Sequence, residues 1–161
     1  MYIGIDLGGT NIAAGLVDDQ HKIRARASRR TRPQREGIEI IHDMADLCRE
    51  LIEDGGAARE EIVWVGVGSP GSVRTESGSV FFASNLPFHN LPLCDILVEK
   101  TGLPVYLGND ANTATLGEIY AGTFKGYSGG PQINGTSHAE RIPDKKKFSR
   151  YPGKKRRLCG L

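Results

Sequence analysis

Apolar and polar residues alternate at the start of the chain in a pattern that predicts three β-strands. The strands are the segments YIGID, IAAGLVD and IRARASRR, and they are separated by LGGTN and DDQHK. Glycine in LGGTN predicts a tight turn with positive φ, so the first two strands form an antiparallel hairpin. The arginines of the third segment are typical of an exposed or edge strand.

From Glu36 to Asp54 the apolar residues recur every three or four positions, which predicts an amphipathic helix. Gly55 and Gly56 end it. The predicted apolar stripe consists of Ile38, Ile41, Ala45, Cys48 and Ile52, widened by Ile40, Met44 and Leu51.

Strand and helix patterns then alternate along the chain. EIVWVGVGSPG reads as a buried strand entering a glycine turn, LCDILVEKTG as a helix after Pro92, PVYLGND as a strand and ANTATLGEIYAG as a helix. This alternation predicts an α/β fold in which some strands are parallel.

Length and composition favour one ordinary globular domain. The chain has 161 residues, of which 39% are hydrophobic and 25% charged. No apolar run approaches the ~18 residues that would cross a bilayer, so no membrane association is expected. The N-terminal MYIGIDLGGT lacks the basic region of a secretion signal, and we expect a cytoplasmic protein. The three cysteines, Cys48, Cys94 and Cys159, form no metal or disulfide pattern.

Charge divides the chain near residue 130. Residues 1–130 hold 12 Lys and Arg against 17 Asp and Glu, a net −5, whereas residues 131–161 hold 9 against 2, a net +7. The second segment lacks any periodicity and is predicted to be a disordered basic tail. Its KKK and GKKRR runs would attract any polyanion, but no nucleic-acid reading motif accompanies them, so nucleic-acid binding is not favoured.

Two glycine-rich segments follow predicted strands. In DLGGTN, backbone N–H groups could converge on a phosphate and Asp6 could hold Mg²⁺, although a tight hairpin capped by Asp6 explains the same residues. In GVGSPG, the backbone lies where α/β proteins bind ligands, or simply forms a type II turn at Pro70-Gly71. Neither segment is a Walker phosphate loop.

Asn109 and Asp110 stand side by side where the last predicted strand meets a helix. One of them is explained as an N-cap, but capping does not need both. A carboxylate at this end of a strand is also placed to accept a proton from a sugar hydroxyl that attacks ATP.

Four segments in this order resemble the ROK family of sugar kinases and repressors over about residues 1–130. They are GIDLGGTNIAAGLVD, VGVGSPGSV, ASNLP and LGNDANTATLGE. The resemblance implies an actin-like or hexokinase-like (ribonuclease H-like) N-terminal lobe with a mixed sheet, and phosphorylation of glucose or a related hexose with ATP and Mg²⁺. It implies that Asp110 is the general base. The implied binding residues are Gly71, Ser84, Asn85 and Asn109 for the sugar, and Asp6, Gly8, Gly9 and Thr10 for the nucleotide phosphate and its metal.

The sequence departs from the family after residue 130, where the second lobe and its cysteine-rich zinc motif do not follow. A truncated or frame-shifted product is one hypothesis, which an unbroken coding region would exclude. Weak or absent turnover is then expected, and a homodimer is left open. The alternatives are a non-catalytic sugar-binding remnant and a ROK-type sugar-responsive regulator, although a regulator's helix-turn-helix would precede the strand that starts at Tyr2.

Overall fold

The computed structural model describes residues 1–114. Eight strands and two complete helices lie in this range, and short 3₁₀ turns occur at Arg59–Glu61 and Thr75–Ser77. A further helix begins at Asp110 and is described as far as Ala114. In chain order the elements are β1 (Tyr2–Leu7), β2 (Asn11–Val17), β3 (Ile23–Arg30), α1 (Gly37–Asp54), β4 (Trp64–Ser69), β5 (Ser72–Arg74), β6 (Ser79–Phe82), β7 (His89–Leu91), α2 (Leu93–Thr101) and β8 (Val105–Asn109).

Five strands form one mixed sheet in the order β3-β2-β1-β4-β8. β1, β2 and β3 are antiparallel neighbours, as the alternating pattern predicts. β4 lies parallel to β1, and β8 lies parallel to β4. The prediction of an α/β fold with a mixed sheet is confirmed, and the parallel strands bring their carboxyl ends to one edge.

One face of this sheet is mainly apolar and lies against α1 and α2, with Arg29 of β3 at its edge pairing with carboxylates of α1. Alternate residues of each strand point to it because side chains in a strand alternate between faces. Burial of this face supplies the hydrophobic stabilisation of the fold. Its main strand residues are Ile3, Ile5, Leu7, Ile12, Leu16, Val65, Val67, Val105 and Leu107, all at most 5% exposed.

The buried side of α1 contains six of the eight residues of the predicted stripe: Ile40, Ile41, Met44, Ala45, Cys48 and Leu51. Ile38, which the pattern placed in the stripe, is 40% exposed, whereas Ile40 is fully buried. Two residues along a helix correspond to a rotation of about 200°, so the two side chains point to opposite sides. The buried positions centre on Ile40, Met44, Leu47 and Leu51. Glu36 is the N-cap, and the helix begins one residue later than predicted.

A second sheet, which the sequence pattern does not indicate, has the order β5-β6-β7. Its strands have only three or four residues, which is too short for alternation to be recognised. The strand predicted from Glu61 begins instead at Trp64, because residues 59–61 form a 3₁₀ turn.

Within residues 1–114, no helix is long and apolar enough to cross a membrane. The continuation of the last helix beyond Ala114 lies outside the described residues, as does the predicted basic tail of residues 131–161.

Candidate active site

The face of the large sheet opposite α1 and α2 carries the contacting rings of Tyr2, Trp64 and Tyr106 at one end. The rest of it, which we call the glycine face, carries small residues with Asp6 beside them: Gly4, Ala13, Gly15, Gly66, Gly68 and Gly108. Asp6 is the register partner of Gly68 on the parallel strand β4. Gly68 is in turn the partner of Gly108 on β8. Neighbouring strands are about 4.8 Å apart, so Asp6 stands one strand away from Gly68.

The helix that starts at Asp110 rests on the glycine face. A Cβ atom added to Gly68 would lie 3.4 Å from Cα of Asp110, and one added to Gly108 would lie 2.7 Å from Oγ1 of Thr113. The Thr113 hydroxyl donates to the carbonyl of Asn109 at 2.8 Å. A Cβ at Gly108 would therefore displace the Thr113 hydroxyl, whereas a Cβ at Gly68 would just touch the helix and a larger side chain would not fit between them. As a result, Asp6 and Asp110 flank Gly68 from two sides.

Asn109 and Asp110 have different positions at the helix start. The N–H of Asn112 donates to Oδ1 of Asn109 at 3.4 Å, which is the capping contact expected from a residue just before a helix. Asp110 is the first helical residue, and its Oδ1 accepts the N–H of Ala111 at 2.8 Å. Since Asn109 occupies the cap position, capping does not account for the carboxylate that follows it.

Asn109 also binds the glycine turn after β4. Its side-chain Nδ2 donates to the carbonyl of Gly71 at 3.1 Å. Gly71 has a φ of +85°, as the third position of a type II turn requires. A Cβ at Gly71 would lie 2.2 Å from the carbonyl oxygen of Phe82, so no other residue fits there without backbone movement. Two of the predicted sugar ligands are thus in direct contact.

The loop between β1 and β2 exposes backbone N–H groups. Gly8 donates its N–H to Asn11 across the loop at 3.0 Å. Among residues 1–114, none accepts a hydrogen bond from the N–H of Gly9 or Thr10. Unpaired N–H groups in such a loop form the kind of concavity that binds anions.

The expectation of positive φ in this loop is wrong. Neither Gly8 nor Gly9 is among the described residues with positive φ. Their requirement for glycine is one of space, because a Cβ on Gly8 would lie 2.9 Å from the carbonyl oxygen of Asn11. A Cβ on Gly9 would lie 2.7 Å from Nδ2 of Asn85.

Asn85 is therefore brought to the predicted phosphate loop, where its side chain packs on Gly9. Ser84 is exposed in the same segment between β6 and β7. No hydrogen bond within the described part of the chain joins Ser84 to another predicted site residue.

Thr31 is a residue of this region that no sequence motif indicates. It is fully buried directly after β3, and its hydroxyl donates to the carbonyl of Gly8 at 2.7 Å. A signal was present, because the hairpin pairing places Arg30 opposite Asn11 and hence the next residue beside the loop.

Asp6 is the carboxylate that could hold a magnesium ion whose other ligands are phosphate and water. Among residues 1–114 there is no group of three or more His, Cys, Asp or Glu side chains that could hold a metal by themselves. Asp6 is exposed at the edge where the phosphate loop begins. Mg²⁺ bound to a nucleotide typically uses one or two protein carboxylates together with phosphate oxygens and water.

Comparison with known proteins identifies the family. The model of the ROK family matches residues 2–129. This chain belongs to the ROK family. Over 126 residues it is 42% identical to the glucokinase of Thermotoga maritima, which covers 78% of this chain and 38% of that protein. It is also 32% identical over 122 residues to the xylose repressor of Caldicellulosiruptor bescii, covering 76% of this chain and 31% of the repressor.

Solved structures agree on the fold. The ROK family glucokinase of Streptomyces griseus, solved in complex with glucose and AMPPNP, superposes with a TM-score of 0.70 and 34% sequence identity. The match covers 78% of this chain and 38% of that structure. The fold is therefore the N-terminal lobe of a ROK protein. The chain spans under two fifths of the length of these relatives.

Proposed function

We propose that residues 1–130 form the sugar-binding and phosphate-binding lobe of an ATP-dependent hexose kinase, with glucose as the favoured sugar. The main support is the placement of Asp6 and Asp110 on either side of Gly68, at the edge of the sheet that also carries the phosphate loop.

In this proposal, each group acts on a different part of the reaction. The amide of Asn109 and the turn at Gly71 hold hydroxyl groups of the hexose. Asp110 accepts the proton of the 6-hydroxyl as its oxygen attacks the terminal phosphate, which is the role of a general base. The free N–H groups of Gly9 and Thr10 bind phosphate oxygens, and developing negative charge there is stabilised by their dipoles.

Asp6 would hold Mg²⁺, which when bound neutralises charge on the phosphates of ATP. The exposed carboxylate keeps this metal beside the loop rather than in a closed protein cage.

The proposal is tested with a chimera, because the chain matches only 38% of its relative. Residues 2–129 replace the matching segment of the Thermotoga maritima glucokinase, and glucose-dependent ADP release is measured. We expect turnover in the kinase range of about 1–100 per second. A chimera that melts cooperatively and binds glucose, yet releases no ADP, would contradict the proposal.

For the 161-residue chain by itself we expect little or no turnover. Phosphoryl transfer depends on positioning the reactants and excluding water from them, which in the related kinases is the work of two closing lobes. ADP release by the purified chain at the usual kinase rate would show that this expectation is wrong.

A sugar-responsive regulator is the second candidate, and the match to the xylose repressor favours it. The two candidates differ in what Asp110 does. In a regulator, replacement of Asp110 by Asn changes sugar affinity at most, whereas in a kinase it removes turnover while sugar binding persists.

A further inference from the structure

We propose that Thr31 is a positioning residue that holds the phosphate loop in the shape that binds an anion. This inference rests on the proposed function, because it assigns a task to a residue next to the loop. It starts from one unusual feature: Thr31 and Ser69 are the buried polar residues of the described part of the chain.

Thr31 hydrogen-bonds to both sides of Gly9. Its hydroxyl donates to the Gly8 carbonyl at 2.7 Å, and its backbone N–H donates to the Thr10 carbonyl at 2.9 Å. Each peptide unit is planar, so fixing a carbonyl also fixes the N–H of the residue that follows it. With the Gly8 carbonyl turned toward Thr31, the N–H of Gly9 is held pointing the opposite way.

The direction of the Gly9 N–H therefore depends on one hydroxyl. A valine at position 31 would keep the volume and the backbone bond but would leave the Gly8 carbonyl without its donor. An unpaired, partly buried carbonyl is unfavourable, and rotation of the Gly8–Gly9 peptide would relieve it. That rotation would also turn the Gly9 N–H away from the phosphate.

Thr31 is itself anchored to the other face of the sheet. Arg35 donates to the Thr31 carbonyl at 2.9 Å and also pairs with Asp43 on α1. Between them, Arg32 has a φ of +50°, although it precedes a proline, which disfavours most conformations outside the extended region. A strained residue persists only where its surroundings determine its conformation, and such residues are common beside functional loops.

The test compares Thr31→Val with Thr31→Ser in the full 161-residue chain. Thr101→Val is the matched control, since the Thr101 hydroxyl also donates to a backbone carbonyl, that of Leu97 at 2.8 Å. Calorimetry measures the Kd of MgADP and, separately, of glucose. Amide hydrogen exchange is followed at Gly8 and Thr31.

We expect Thr31→Val to weaken MgADP binding by about tenfold or more and to leave glucose binding within about twofold. Exchange at Gly8 and Thr31 should accelerate by a similar factor. Thr31→Ser should restore the Kd of MgADP and the exchange rates at Gly8 and Thr31. Thr101→Val should change none of these three values.

Equal MgADP affinity in the wild type and Thr31→Val would overturn the inference and leave the proposed function intact. A wild type that binds glucose but no MgADP would also overturn it, because the loop would then hold no phosphate in this chain. A wild type that binds neither ligand would speak against the proposed function. In that case, amide hydrogen exchange in Thr31→Val still tests whether Thr31 holds the loop. An exchange rate at Gly8 equal to that of the wild type would show that it does not.

Discussion

The two faces of the large sheet are built from the same five strands but have different roles: one packs against helices and the other carries the candidate site. On the packed face, Ile, Leu and Val side chains meet α1 and α2 and are almost completely buried. On the other side, the rings of Tyr2, Trp64 and Tyr106 occupy one end, and the small residues of the glycine face carry the start of the Asp110 helix together with Asp6. Side-chain bulk supplies stability on the first face. Its absence on the second allows backbones and carboxylates to approach one another.

The largest effect is expected on the packed face. Ile41 is fully buried in α1, so Ile41→Ala should lower the free energy of unfolding by about 2–5 kcal/mol through lost burial and a cavity. Ile38→Ala is the matched control on the same helix, because Ile38 is 40% exposed, and it should stay within about 0.5 kcal/mol. Urea denaturation measures both, and equal losses would refute the difference in burial between Ile41 and Ile38.

The glycine face can be tested with the same substitution at two sites. Gly68→Val places methyl groups against the backbone of Asp110 and should destabilise by about 1–3 kcal/mol. In Gly4→Val the new side chain meets no described atom within 4 Å of its Cβ, so a change within about 0.5 kcal/mol is expected. Thermal or urea unfolding decides this prediction. A loss at Gly4 as large as at Gly68 would mean that the glycine face is covered there as well.

A pH experiment tests whether water reaches the packed face, the face of the large sheet covered by α1 and α2. Burial raises the pKa of the Cys48 thiol from 9.0 to about 12. Between these values the unfolded chain loses the proton while the folded chain keeps it, so stability falls as the pH rises above 9. From pH 8 to pH 10.5 the wild type should lose about 1–2 kcal/mol more than Cys48→Ala. Urea titrations at the two pH values measure these losses. If the wild type and Cys48→Ala lose the same stability between pH 8 and pH 10.5, water reaches the thiol in the folded chain.

The sequence predicted most of the large sheet because its strands and α1 have strong periodicity. The pattern misplaced Ile38 because an apolar residue at a helix start fits several stripes equally well. The sequence pattern did not predict the sheet of β5, β6 and β7. Its strands are too short to show alternation, and they form through pairing with one another.

Motif spacing also identified the candidate residues, but it could not show which of them meet. The contact between Asn109 and Gly71 joins residues 38 positions apart in the sequence. The role of Thr31 depends on the β2–β3 register, since threonine at the end of a strand is unremarkable by itself. Glycine in the phosphate loop was expected for its backbone freedom, whereas the structure requires it for space around Gly8 and Gly9.

In the proposed function, Asp110 takes part in the chemistry and does not merely begin a helix. The most direct measurement is glucose-dependent ADP release by the chimera with Asp110 and with Asp110→Asn. Asn keeps the size of the side chain and an oxygen that accepts the Ala111 N–H, so folding and the KM for glucose should be nearly unchanged. We predict a fall in kcat of about 10²–10⁴-fold, the range typical of a lost general base. An Asp110→Asn chimera with unchanged kcat would contradict this account and leave Asp110 a structural residue.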